Sequence, residues 1–353
     1  MKRPIIINFF SIITGKGLSI SAFVSKAKNC VSNDIPSEST TAPIESYRQL
    51  GSNKYILKIN FIDKKGEILK KKVFETDSLG NIYIKYPLKE NERSSLNAIE
   101  IYEISYSSGI EFYLGSFIPI KSEAENKVII CDFDKTLVDT KYSNTLEVFN
   151  SLTKPITDFP KVIRSIEILK EHIVDKYHPF ILSASPLFYS DAISNWLYQN
   201  AIYTAGVFLK DFRKLFSVLD KELTFKDLSG QGSYKLGQLL SIIDLTDLPD
   251  ELVLVGDNFE SDPIIYQILA KFLMGDISAS MLLKDLKNRP EFKLNKKQQS
   301  ILLNKLFRIE DNLKRKEKPI KIKILIRKYD KDTYELLDND THMEKLIETY
   351  SAN

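Results

Sequence analysis

The first third of the chain alternates apolar and polar residues in short stretches, which is the pattern of strands that bury one face. The clearest of these stretches are 55–61, 81–84 and 111–114, and Gly, Asn, Asp and Ser residues lie between them. We therefore predict an all-β, sandwich-like domain over residues 1–122. Its polar segment near 32–50 begins with a run rich in Ser, Thr and Pro, and we predict a mobile loop there.

The pattern changes in the remaining part of the chain, which we predict to be an α/β domain over residues 123–353. Fully apolar stretches, typical of strands buried on both faces, lie at 128–131, 180–182 and 252–255. Amphipathic stretches, typical of helices packed on a sheet, lie between them at 162–173 and 191–198. This alternation predicts a parallel sheet with crossover helices. A charged helical insertion near 276–318 is predicted to precede a last strand at 320–326.

Composition excludes several classes of protein. Hydrophobic residues make up 43% of the chain and charged residues 27%, which is ordinary for a globular protein and excludes a disordered one. The net charge of +3 supplies no overall field for nucleic acid, so we expect no nucleic-acid partner. No run of 18 apolar residues is present, so we expect no membrane-spanning helix.

Cysteine usage and the N-terminus bear on location. Cys30 and Cys131 are too few for a disulfide framework, so a reducing, cytoplasmic compartment is the expected one. A weak export signal at 1–13 is the less favoured alternative, because Asn8 interrupts the apolar run and no clean cleavage site follows.

Candidate chemistry begins directly after the apolar stretch 128–131. Asp132 and Asp134 follow it, and side chains two residues apart in an extended segment point the same way. Two carboxylates that face one small volume are costly unless a cation or a proton separates their charges. Thr136 completes a D-x-D-x-T string, which by itself is a weak signal.

Three further constellations follow in the chain. Ser183 comes after the stretch 180–182, Lys235 begins an amphipathic stretch, and Asp257 and Asp262 follow the stretch 252–255. A hydroxyl and an ammonium suit phosphate oxygens, and carboxylates are ligands that Mg²⁺ prefers. Each feature alone has an ordinary interpretation as a helix cap, a solvated lysine or a turn. Because ligands collect beyond the carboxyl ends of parallel strands, the whole set in this order favours a functional site.

These four elements resemble the four motifs of the haloacid dehalogenase superfamily, which implies a Rossmann-like parallel sheet. A closer resemblance is to the actin-patch-associated phosphatidate phosphatase catalytic family. The segments that carry it are 131–136, 182–186, 209–211, 256–257, 262–266 and 324–327, together with Gly206 and Lys235. Two positions depart from the family pattern, because Lys135 stands where a further acid is usual and Tyr234 where a histidine is usual.

The resemblance implies a role for each candidate residue. Asp132 would be the nucleophile that forms an aspartyl-phosphate, and Asp134 would be the general acid and base. The residues implied to hold the phosphoryl oxygens are Thr136, Ser183 and Lys235. The implied Mg²⁺ ligands are Asp132, Asp134 through its backbone carbonyl, Asp257, and Asp262 directly or through water.

We therefore predict a magnesium-dependent phosphatase that acts on a phosphate monoester, with a phosphatidate-like phospholipid at a membrane surface as the favoured substrate. The short segment 139–169 leaves little room for a large cap domain, which suits a bulky substrate. One alternative is a soluble or protein phosphate substrate. Another is a non-catalytic lipid- or protein-binding module, in which basic residues at 314–316, 321 and 323 would contact anionic lipid. The sequence leaves the oligomeric state open.

Overall fold

The computed structural model describes residues 2–28, 53–105, 108–122, 125–140, 155–211, 231–259, 261–289, 291–292, 294–329 and 341–352. The chain forms two compact units. The β unit comprises Met1–Ala124 with Leu245–Asp247, and the α/β unit comprises Glu125–Asp244 and Leu248–Asn353. The loop predicted near 32–50 lies outside the described residues.

The β unit contains two four-stranded sheets. Its elements are β1 Lys2–Ile13, β2 Gly17–Lys28, β3 Ile56–Asp63, β4 Ile68–Glu75, β5 Asn81–Pro87, α1 Glu90–Ser95, β6 Leu96–Glu103, β7 Phe112–Phe117 and β8 Ile120–Lys121. The strand orders are β5-β2-β1-β8 and β4-β3-β6-β7. Neighbouring strands are antiparallel, except that β8 runs parallel to β1.

The two sheets of the β unit share one hydrophobic core. Leu18 and Ile20 of β2 lie in the same buried cluster as Leu57 and Ile59 of β3. Each pair is spaced by two residues, so the alternation in the sequence directs one face of each strand into the core. The prediction of a β-rich, sandwich-like N-terminal region is confirmed.

The α/β unit is built on one six-stranded sheet. Its elements are β9 Lys127–Asp132, α2 Ile163–Val174, β10 His178–Pro186, α3 Ser190–Gln199, β11 Gly206–Lys210, α4 Gln231–Leu245, β12 Glu251–Asp257, α5 Asp262–Met274, α6 Ala279–Asn288, α7 Lys296–Lys314, β13 Lys321–Arg327, α8 Thr341–Glu344 and β14 Ile347–Tyr350. The strand order is β11-β10-β9-β12-β13-β14, and every neighbouring pair is parallel. The predicted parallel sheet is confirmed.

The edges of this sheet differ from the prediction. Strand β13 is not the last strand, because the four-residue β14 pairs with it in parallel. Strand β11, at the other edge, was not predicted either. Both edge strands are short and only partly buried, and the sequence of β14 lacks the continuous apolar run that marks the central strands. No helix in the described parts of the chain is both long and apolar enough to cross a bilayer.

The charged segment near 276–318 folds as the helices α6 and α7. The side chain of Ser278 caps α6, and Asn295 begins α7 with a reciprocal capping box to Gln298. Helix α7 buries Leu302, Leu306 and Ile309, which recur at helical spacing, and its charged residues remain outside.

Candidate active site

Strand β9 ends at the centre of the parallel sheet, with β10 on one side and β12 on the other. Asp132 is its last residue and pairs with Leu182 of β10, while the preceding Cys131 pairs with Val255 of β12. The carboxyl ends of these three strands therefore bring their polar continuations to one edge of the sheet. This is where ligands bind in open α/β sheets.

Three carboxylates converge at this edge. Asp132, Asp257 and Asp262 each place one carboxylate oxygen within 4.8 Å of the other two, and all three side chains are buried. We call this set the acid cluster. The Nζ atom of Lys235 lies 2.9 Å from Oδ1 of Asp132 and 2.6 Å from Oδ1 of Asp262.

The acid cluster fits a divalent cation. Three ionised carboxylates carry three negative charges, of which the buried ammonium of Lys235 offsets one. Like carboxylates held this close disfavour each other's ionisation unless a cation lies between them. An all-oxygen set suits Mg²⁺ better than zinc, because zinc sites in proteins usually include histidine or cysteine ligands.

Gly256 permits the close packing of this cluster. A Cβ atom at this position would lie 2.5 Å from Oδ2 of Asp262 and 2.8 Å from the ring of Tyr266. The hydroxyl of Tyr266 donates a hydrogen bond to the carbonyl of Val255, and burial raises the pKa of this hydroxyl well above its usual value. The glycine in the Gly-Asp pair that ends β12 thus has a steric cause.

Asp134 is held by two serines and is not a member of the acid cluster. Ser183 and Ser185 donate hydrogen bonds from their hydroxyls to Oδ2 of Asp134, at 2.8 Å and 3.0 Å. The backbone N–H of Ser185 donates to the hydroxyl of Ser183 at 2.9 Å. Strand β10 continues beyond its predicted end at Leu182, and its register with β11 shifts there, so these serines lie in an irregular part of the strand.

Asp257 is held at both carboxylate oxygens. The hydroxyl of Thr136 lies 3.4 Å from Oδ2, and the backbone N–H of Phe259 donates to Oδ1 at 2.7 Å. Thr136 is fully buried, so the last residue of the D-x-D-x-T string supports the neighbouring strand's carboxylate in this structure.

A second group of residues, for which the sequence predicted no role, holds the loop after β9. Arg327, at the end of β13, donates a hydrogen bond from Nη1 to the backbone carbonyl of Lys135. Nη1 also lies 2.9 Å from the hydroxyl of Tyr329, which donates to Oδ1 of Asp139 at 2.8 Å. We call Arg327, Tyr329 and Asp139 the loop clamp. The signal was present, because Arg327 is the last residue of a parallel strand and Tyr329 follows its carboxyl end.

The clamp also reaches the loop after β12. The backbone N–H of Asn258 donates to the carbonyl of Arg327 at 3.1 Å, and the N–H of Tyr329 donates to Oδ1 of Asn258 at 3.0 Å. Lys135 itself has a left-handed backbone with φ of 59°, and its ammonium lies 3.3 Å from the ring centroid of Phe259. A non-glycine residue in this conformation must be held by its surroundings.

Burial affects two neighbouring groups, the thiol of Cys131 and the hydroxyl of Tyr234. Burial raises the pKa of the Cys131 thiol and that of the Tyr234 hydroxyl well above their usual values. The Tyr234 hydroxyl is buried and has no hydrogen-bond partner among the described residues. A raised pKa favours the protonated form of each group at neutral pH.

Residues 127–284 match the family model of phosphatidate phosphatase APP1, catalytic domain. The resemblance seen in the motifs is confirmed, and the match supports a phosphatidate phosphatase-like hydrolase. All seven predicted site residues lie inside the matched segment, whereas Arg327 and Tyr329 lie beyond it. No curated protein gives a significant match to the chain.

The chain also shows a weak likeness to solved glycosidase structures. A calcium-binding mutant of Bacteroides uniformis beta-glucuronidase 2 is 12% identical with a TM-score of 0.25, and 92% of this chain and 33% of that chain are covered. Parabacteroides merdae beta-glucuronidase is 10% identical with a TM-score of 0.29, and 92% of this chain and 34% of that chain are covered. The chain thus spans about a third of the length of these enzymes. At such TM-scores the likeness carries no conclusion.

Proposed function

We propose that this chain, with its match to the phosphatidate phosphatase APP1 catalytic domain, is a magnesium-dependent phosphatase of the haloacid dehalogenase type that acts on a phosphatidate-like lipid. The observation that carries the proposal is the position of Asp132. It ends the central strand, lies in the acid cluster, and contacts the buried ammonium of Lys235 at 2.9 Å. We further propose that residues 123–353 form the catalytic domain and that the protein acts in the cytoplasm at a membrane surface.

In this proposal Asp132 is the nucleophile. One of its carboxylate oxygens forms a bond to phosphorus while the bond from phosphorus to the ester oxygen breaks, which gives an aspartyl-phosphate and an alkoxide. Lys235 fixes the orientation of Asp132 by contacting Oδ1, and its positive charge favours the approach of an anionic phosphoryl group. Splitting one displacement into two steps is the usual gain from a covalent nucleophile.

Asp134 is the proposed general acid and base. In its protonated form it gives its proton to the leaving alkoxide, and the resulting carboxylate then takes a proton from the attacking water. That water cleaves the aspartyl-phosphate, which releases inorganic phosphate and restores Asp132. The hydroxyls of Ser183 and Ser185 both bind Oδ2 of Asp134 and so fix the orientation of this carboxyl group.

The residues proposed to hold Mg²⁺ are Asp132, Asp257, Asp262 and the backbone carbonyl of Asp134. When bound, the ion would offset the repulsion between the carboxylate nucleophile and the anionic ester. Thr136 and Phe259 support this arrangement, because each contacts one carboxylate oxygen of Asp257. Thr136 and Ser183 are also proposed to hold phosphoryl oxygens, which requires their hydroxyls to turn toward the substrate.

A phosphate-release assay tests the proposal. The purified protein is given Mg²⁺ with phosphatidate in mixed micelles, with a soluble aryl phosphate, and with a phosphopeptide. We expect release from phosphatidate to be fastest, and we expect Asp132→Asn to abolish it. Asp311→Asn, an exposed carboxylate on α7, is the matched control and should retain full activity. Release from only the soluble ester or the phosphopeptide would exclude the lipid substrate, and no release from any ester would exclude the enzyme.

A further inference from the structure

The hairpin formed by β3 and β4 exposes two adjacent aliphatic side chains at the start of β4. Ile68 is 45% exposed and Leu69 is 42% exposed. Segment 63–73, which we call the docking hairpin, contains five lysines and two acidic residues, so its net charge of +3 equals that of the whole chain. Aliphatic and cationic side chains are therefore concentrated in one short part of the β unit.

The lysines of the docking hairpin divide into two groups. Lys70 forms an ion pair with Glu92 at 3.0 Å, and both Lys70 and Lys72 lie over the ring of Tyr86. These two lysines therefore pack against the β unit itself. Lys64, Lys65 and Lys71 are exposed instead, and their side chains form no ion pair within the part of the chain that the structure describes. A set of exposed lysines beside aliphatic groups is complementary to an anionic, partly apolar surface.

The turn that presents these side chains is held by its own hydrogen bonds. Oδ1 of Asp63 accepts from the backbone N–H of Lys65 and from that of Glu67, both at 2.8 Å. The N–H of Asp63 also donates to the carbonyl of Glu67 at 2.9 Å, and Gly66 supplies the left-handed backbone with φ of 85°. Because the backbone of the turn is already ordered, binding through it costs little conformational entropy.

Protection of a sheet edge explains only part of this arrangement. Strand β4 is an edge strand, and lysines on edge strands discourage pairing with another chain. That function accounts for Lys71, which lies on β4. It does not account for Lys64 and Lys65, which lie in the turn, or for two adjacent exposed aliphatic residues, which would promote association rather than prevent it.

We propose that the docking hairpin binds the protein to anionic membranes. Ile68 and Leu69 enter the interfacial layer of the bilayer, while Lys64, Lys65 and Lys71 contact lipid headgroup phosphates. The purpose of this contact rests on the proposed lipid substrate, since a phosphatase that remains at the surface meets its substrate in two dimensions. The contact itself does not require turnover.

Vesicle co-sedimentation of the full chain tests the docking hairpin. The vesicles are pure phosphatidylcholine or phosphatidylcholine with phosphatidylserine, neither of which carries a phosphate monoester, so binding is measured without hydrolysis. We expect binding only to the anionic vesicles, and weaker binding at high salt. The triple variant Lys64→Gln, Lys65→Gln, Lys71→Gln should bind about 100-fold more weakly, at about 1 kcal/mol for each lysine. The double variant Ile68→Ser, Leu69→Ser should bind the anionic vesicles at least about tenfold more weakly than the unaltered protein.

Matched controls lie in the α/β unit. Lys314→Gln with Arg315→Gln removes two exposed basic residues, and Val174→Ser removes an exposed aliphatic one. We expect these variants to bind vesicles like the unaltered protein. All hairpin variants should retain the same melting temperature and the same turnover of a soluble aryl phosphate.

Several results would overturn the proposal. The hairpin variants could bind vesicles as tightly as the unaltered protein, or the variant at Lys314 and Arg315 could lose binding instead. The unaltered protein could also bind a DNA duplex but no vesicles, or it could form a dimer that the hairpin variants abolish. Vesicle binding without any phosphatase activity would leave the docking hairpin supported and the proposed function rejected. Phosphatase activity on phosphatidate in mixed micelles without vesicle binding would leave the proposed function supported and the docking hairpin rejected.

Discussion

The guanidinium of Arg327 donates a hydrogen bond to the backbone carbonyl of Lys135, a residue 192 positions earlier in the sequence. Lys135 lies between Asp134 and Thr136, so this contact joins the end of β13 to the loop that carries the proposed acid and base. The left-handed backbone of Lys135 costs of order 1 kcal/mol and depends on such contacts. Arg327 is therefore a positioning residue in the proposed mechanism.

We predict that Arg327→Lys lowers kcat by roughly 10-fold to 100-fold, because a small displacement of a reacting group has an effect of that size. KM should change little, since Arg327 acts through the loop. Steady-state kinetics on a soluble aryl phosphate would show whether the substitution lowers kcat and leaves KM unchanged. Arg315→Lys, an exposed arginine on the C-terminal side of α7, should change neither. A merely structural role would lower kcat only in proportion to the loss of folded protein. In that case Arg327→Lys would have the same kcat and the same melting temperature as Arg327→Ala.

We predict that Asp132→Asn lowers turnover by roughly four orders of magnitude or more, because an amide is not an effective phosphoryl acceptor. Asp134→Asn should also lower turnover, because it removes the proton donor. Because both residues act in one reaction sequence, the double variant should be scarcely worse than either single one. Asp132→Asn should melt at or above the temperature of the unaltered protein, since it removes one of three carboxylates from the acid cluster. Fully additive losses would argue against a shared mechanism.

We predict that Gly256→Ala abolishes activity and destabilises the fold by about 1–3 kcal/mol, because the added Cβ would lie 2.5 Å from Oδ2 of Asp262. Asp262 would be displaced from Lys235 and from the acid cluster. Gly237→Ala is the matched control, since an added Cβ on α4 meets no atom within 4 Å. That control should keep its activity and stabilise the helix by about 0.5–1 kcal/mol. Chemical denaturation and phosphate release measure both effects, and normal activity in Gly256→Ala would contradict the proposed geometry.

We predict that a chelator abolishes activity and that added Mg²⁺ restores it. Calcium should bind the same carboxylates and inhibit, because it takes more ligands at longer distances and would misplace the nucleophile. Mg²⁺ at about 100 times its dissociation constant should raise stability by about 2.7 kcal/mol, since only the folded protein assembles the cluster. The melting temperature supplies a readout independent of turnover, and Asp257→Asn should remove the shift. Full activity after exhaustive metal removal would exclude the metal-dependent mechanism.

Much of the fold was predictable because its signals are local. The apolar stretches 128–131 and 252–255 can only be buried on both faces, so they indicated central parallel strands without any knowledge of their partners. Parallel strands end at a common edge, and this rule placed Asp132 and Asp257 together before any distance was known. The alternation in the first third of the chain likewise predicted a sandwich-like region.

Tertiary structure decided what depends on residues far apart in sequence. The short strand β14 pairs with the edge of the sheet although its own sequence shows no strong strand pattern, whereas β11 at the other edge contains a short apolar run, 207–209. The contact of Asp134 with Ser183 and Ser185 depends on the irregular end of β10, which no periodicity reveals. The hydrogen bond from Arg327 to the carbonyl of Lys135 likewise joins residues far apart in sequence, so no local pattern predicts it. A sequence determines which segments must be buried, whereas the partners of an individual polar atom are set by the packing of elements that only the folded chain brings together.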